Sequence, residues 1–173
     1  MVRGQIQHVF VFIMLIIIAG VVLLLGYKFI GGLLGQSCDV EKLEFMNGLE
    51  KALRDYASYG THKTAAFDAP CNALQLCMVS ASAFEKDSNG KFKKQTFAYP
   101  GNLIIQDAVA DPNPESPTNL FLVYEKGVTE PIQLFAEKLD VAGTPKVVCV
   151  NATSGRFNLV FDGKGRTVVV TSG

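Results

Sequence analysis

From Val9 to Leu25 the chain is apolar without a break, and between Arg3 and Lys28 it holds no Asp, Glu, Lys or Arg. Crossing a bilayer core takes about 20 apolar residues at ~1.5 Å rise each, and the stretch Val9 to Tyr27 supplies them. Fourteen of its residues are Val, Ile, Leu or Phe. At roughly −0.3 to −0.6 kcal/mol apiece they favour insertion by about 6 kcal/mol. The pattern predicts a transmembrane helix with the lipid bilayer as its surroundings.

Beyond it the period changes. Val40, Leu43, Met46, Leu49, Leu53 and Tyr56 recur three or four apart, opposite Glu41, Lys42, Glu44, Glu50, Lys51, Arg54 and Asp55. This is one apolar stripe of a helix of 3.6-residue period. Gly26, Gly31, Gly32 and Gly35 loosen the chain between the two helices, Ser37 or Asp39 offers an N-cap, and Gly60 a stop. The remainder reads as strands and turns. Thr64–Phe67 and Leu74–Ser80 flank a turn at Pro70-Cys71-Asn72, and Asp87-Ser88-Asn89-Gly90 turns into Lys91–Lys94. Leu120–Tyr124 suits a buried strand, and Pro112, Pro114 and Pro117 mark a loop. Phe157, Leu159 and Phe161 alternate with Asn158 and Val160 before a turn at Asp162–Gly165 and the strand Thr167–Thr171, the clearest hairpin. The expected fold class is α+β: a long N-terminal hydrophobic helix, then an amphipathic helix packed on an antiparallel β-sheet head. The expected organisation is a short leader over 1–4, a membrane or assembly helix over 5–35, an amphipathic helix over 36–60 and a β-rich extracytoplasmic head over 61–173.

The residues ahead of the apolar run permit three readings. A cleaved secretory signal has a shorter apolar region and a small-residue cleavage site, whereas Phe29-Ile30-Gly31-Gly32 and Leu33-Leu34-Gly35 present bulky residues at the exits. A plain anchor needs only the hydrophobicity. The third reading rests on Arg3, Gly4 and Gln5, a basic residue, a Gly and a Gln opening the helix. With the layout behind it, this string resembles the class III signal of archaeal type IV pilin-like surface proteins. The resemblance implies cleavage between Gly4 and Gln5 by a membrane aspartic peptidase of the prepilin type, and self-assembly through the N-terminal helix. The fuller pattern of that family has Ser and Glu at the third and fifth mature positions, where this chain has Gln7 and Val9. That departure bears on incorporation as a major filament subunit more than on cleavage. Ala69-Pro70-Cys71, Leu76-Cys77-Met78-Val79, Asn119–Val123 and the closing hairpin also resemble features of uncharacterised membrane-anchored archaeal proteins, a likeness that implies no activity.

Composition narrows the function classes. All sixteen acidic residues lie beyond position 38, while Arg3 and Lys28 precede it, so the head carries a net charge near −2. Such a surface has no strong field for nucleic acid. Lys91, Lys93 and Lys94 form its one basic knot, read as lysines that blunt a strand edge. Cys38, Cys71, Cys77 and Cys149 all lie outside the apolar run. They are disulfide candidates with three pairings open, and long closures involving Cys149 are favoured because they restrict the unfolded chain more. Asn151-Ala152-Thr153 is an N-glycosylation acceptor pattern. Arg3 and Lys28 nearly balance the positive-inside signal. The short N-terminus, the cysteines and the acceptor triplet point to a cytoplasmic N-terminus and an extracellular head.

Catalytic and cofactor signatures are missing from the sequence. His8 stands at the membrane entrance and His62 in a turn, and no HExxH, GxSxG or Walker pattern occurs. Asp87-Ser88-Asn89-Gly90 opens like a calcium loop, but Ala98 stands where its closing Glu belongs. Cys71 and Cys77 lack histidine partners for zinc, and Glu41 and Glu44 read as a solvated helix face. No catalytic residue, metal ligand or cofactor is expected. The chain reads as a structural protein, with an unprocessed single-pass anchor carrying a binding or envelope domain as the alternative.

Overall fold

A computed structural model describes residues 3–114 and 116–173, with side chains described at 11–27, 38–114 and 116–173. The protein divides into two compact units, Met1–Val40 and Glu41–Gly173. Helix α1 spans Arg3–Asp55 without interruption. The expected break is therefore absent: Ser37 and Asp39 lie inside the helix rather than capping a second one. A glycine costs a helix only about 1 kcal/mol, and four of them do not undo a cooperative run of this length.

In the first unit α1 makes up all the described structure, and its large apolar side chains from Val11 to Leu25 are 47–74% exposed. Among the described residues, no helix is long and apolar enough to cross a membrane. The span expected over 9–27 begins at Val9 and Phe10, whose side chains lie outside the described residues.

The second unit is α+β, helical residues packed on two small sheets. Its strands are β1 (His62–Asp68), β2 (Gln75–Val79), β3 (Leu120–Val123), β4 (Thr129–Pro131), β5 (Leu139–Asp140), β6 (Val147–Asn151), β7 (Arg156–Gly163) and β8 (Val168–Ser172). One sheet has the order β1-β7-β8-β5, the other β4-β3-β2-β6. The expected single antiparallel sheet is thus two, and β5 runs parallel to β8. The closing hairpin is as expected, with Phe161 opposite Val170.

Alternation explains which faces close on each other. Along β7, Phe157, Leu159 and Phe161 are fully buried while the residues between them are partly exposed. They meet Leu76, Met78, Leu120 and Leu122 of the second sheet, together with Phe45, Leu49 and Leu53 of α1, in one core. Phe45 packs edge-on against Phe67 and Phe157, and Tyr56 tilts against Phe161. The other face of the second sheet carries Cys77, Val79 and Phe121 and is covered by Ile105 and Val109. Those two residues belong to α2 (Leu103–Ala110), whose N-cap Asn102 accepts hydrogen bonds from the amides of Ile104 and Ile105. A sheet covered on both faces explains why β3 reads as a continuous apolar run.

Candidate functional site

The head grips α1 at its first turns within the second unit. Lys42 donates to both carboxylate oxygens of Glu130 on β4, at 2.7 and 2.8 Å, and its ammonium lies 6.0 Å from the ring centre of Tyr124. The Tyr124 hydroxyl is buried close to the Glu130 carboxylate, without a hydrogen bond of good geometry among the described residues. Burial first, then the neighbouring negative charge of Glu130, push its phenol up to about 12. One residue earlier on the helix, Glu41 accepts a hydrogen bond from the backbone N–H of Cys71 at 2.7 Å. That contact stabilises a strained corner, because Cys71 and Asn72 both hold positive φ, 54° and 57°. Glu41 is therefore a structural tie, not simply part of a solvated face.

Beside this tie lies an open groove of about 590 Å³, lined by Glu41, Glu44, Phe45, Phe67, Asp68 and Asn72 among others. Asp68 is engaged by Arg156 at 2.8 Å. Its described lining residues include the carboxylates of Glu41, Glu44 and Asp68 and no serine, cysteine or histidine. Among the described residues no group of three His, Cys, Asp or Glu is placed to hold a metal ion.

A second polar cluster joins the two sheets. Lys146 Nζ lies 2.8 Å from Ser82 Oγ, which lies 2.8 Å from Ser80 Oγ, which donates to Asp140 Oδ1 at 2.7 Å. Ser80 is fully buried. A serine–lysine pair acts as nucleophile and base when the lysine is desolvated, and Lys146 is solvent-exposed. The chain of hydroxyls reads as a latch between β5 and the end of β2. Asn119, also fully buried, stitches the same region by bonding the carbonyls of Val79 and Ala136 and the N–H of Ala136.

The sites expected from sequence are dispersed. Arg3, Gly4 and Gln5 begin α1, and their side chains lie outside the described residues, as does that of His8. All four cysteines are disulfide-bonded, in two bridges. Cys77 and Cys149 face each other across the β2–β6 ladder and are joined, closing 72 residues of chain. This is a long closure of the favoured kind. Asn151 ends β6, exposed, with its Oδ1 accepting from Gln75 Nε2 at 2.9 Å. His62 opens β1 in solvent. The expected strand at Lys91–Lys94 is reduced to a single bridge between Lys86 and Phe92. Lys93 and Lys94 there pair with Glu85 and Asp111 instead of standing as a basic knot. Asp87 spends its carboxylate on the N–H groups of Asn89 and Lys91, closing its own turn.

Sequence reasoning missed the Lys42–Glu130–Tyr124 and Ser80–Asp140 groupings. Lys42 is 88 residues from Glu130 and Ser80 is 60 from Asp140, and no local pattern announces these pairs. Comparison with known protein families, curated proteins and solved structures finds no match.

Proposed function

We propose that this chain is a type IV pilin-like or pseudopilin-like surface protein, anchored by its apolar helix and assembled through it, with the head outside the cell. The observation that carries this reading is α1 itself: one helix over Arg3–Asp55 whose Val11–Leu25 side chains stay exposed, while Phe45, Leu49 and Leu53 of the same helix seat in the head core. A helix apolar all round finds a stable place only in lipid or among like helices. Residues 11–27 alone are short for a bilayer core; in this proposal Val9, Phe10 and the residues after Tyr27 complete the span. Four oxidised cysteines suit an oxidising compartment outside the cytosol. In this proposal the ties at Glu41 and the hydroxyl latch hold the head together, and the role is structural.

The experiment is intact mass of the protein from its native membrane. Processing between Gly4 and Gln5 by a prepilin-type peptidase gives a chain starting at Gln5, and Gly4→Val abolishes it. A chain that retains Met1–Gly4, or is indifferent to that substitution, overturns the processing. Val9 at the fifth mature position, where filament subunits of the resembled family carry Glu, favours a second reading: an unprocessed anchor displaying a monomeric envelope domain. Electron microscopy of sheared surface material separates them, since only the first puts this chain in filaments.

A further inference from the structure

Asn151-Ala152-Thr153 is the one Asn-x-Ser/Thr triplet in the chain, and the fold gives it an unusual place. Asn151 is the last residue of β6, and among the described residues β6 is an edge of its sheet, paired with β2. The strand reads Val-Val-Cys-Val-Asn: β-branched, uncharged and free of proline, the composition that invites pairing with another chain. Edges of that kind are normally blunted by charge, proline or a cover. Neither charge nor proline stands on β6 itself.

The triplet also meets the steric demands of an acceptor. Asn151, Thr153, Ser154, Gly155 and Arg156 are all exposed. The backbone reverses immediately after the triplet, with Ser154 and Gly155 at φ 52° and 74° and mutual hydrogen bonds between Thr153 and Arg156. Gln75 Nε2 donates to the Oδ1 of Asn151, which orients the amide of this exposed residue. The hydroxyl two residues on, the second recognition element of such triplets, projects from the same turn.

We infer that Asn151 carries an N-linked oligosaccharide at the exposed end of the β6 edge strand. In the reaction Nδ2 attacks the anomeric carbon of a polyprenyl-phosphate-linked oligosaccharide. The C–N bond forms, the C–O bond to phosphate breaks, the phosphate leaves with the lipid, and the amide proton passes to the transferring enzyme's base. The inference rests on the outward-facing head proposed above.

The test is peptide mass spectrometry of the full chain from its native source. Reduction, alkylation and trypsin release Val147–Arg156, bounded by Lys146 and Arg156 and containing a single asparagine. The expected result is that this peptide carries a sugar mass on Asn151, lost in Thr153→Ala and kept in Thr153→Ser. A wild-type peptide recovered only at its bare mass overturns the inference. Protease applied to intact cells keeps the two proposals apart: a bare peptide on a head cleaved from outside sinks the glycan alone, and a bare peptide on a protected head sinks both.

Discussion

Gly163, at the end of β7, sits where two segments nearly touch. Its N–H donates to the carbonyl of Thr61, its carbonyl accepts from Gly60, and a Cβ would overlap the backbone oxygens of Tyr56 and Ser58. Since those oxygens belong to backbone, they cannot swing aside. Gly163→Ala is expected to destabilise the head by about 1–3 kcal/mol, measured by urea unfolding. Tyr124 makes a complementary prediction. Its phenol keeps its proton well above the ordinary value near 10, up to about 12. The stability this contributes is fully present below pH 10 and is lost as pH rises through 12. Phenolate absorbance against pH should show one tyrosine titrating late. Glu130→Gln should bring it down part of the way, since burial acts first, and Tyr124→Phe should remove it. Neither residue was legible in advance: Gly163 looked like one more turn glycine, and Tyr124 like the end of an apolar strand.

At the scale of elements, periodicity read the helix root closely but rotated its stripe. Leu49 and Leu53 are buried as expected, whereas Leu43 is 56% exposed and Phe45, left out of the stripe, is in the core. The reason is that the helix packs against aromatic residues of β1 and β7, Phe67 and Phe157, which sequence order does not place beside it. Leu49→Ala should therefore cost about 2–5 kcal/mol, and Leu43→Ala within about 0.5 kcal/mol, by the same unfolding assay. The β7–β8 hairpin, β1, β2 and β3 were all legible because their signals are local. Strands β4, β5 and β6 and helix α2 were not. Strand β5 is two residues long and parallel to β8, α2 has eight residues, and each exists through partners distant in sequence. The Cys77–Cys149 bridge lies on that non-local ladder. Removing it by Cys77→Ala with Cys149→Ala frees a 72-residue closure, worth about 4 kcal/mol by chain entropy. The midpoint of urea denaturation should fall accordingly.

For the whole molecule, one helix changes character along its length. Over 11–25 it shows apolar side chains on every side, and from Phe45 it lends one face to a disulfide-bonded core. The apolar run was legible at first sight because hydrophobicity needs no partner to be read. The candidate site was less so, since what emerged at the root of the head is a set of ties through Glu41 and Lys42 to residues distant in sequence. In the proposed function the apolar half is held in a membrane or among its copies. Alkaline carbonate extraction of native membranes tests that directly: the chain should stay in the sedimented membrane fraction and leave it only with detergent, and its release into the carbonate supernatant would contradict the account.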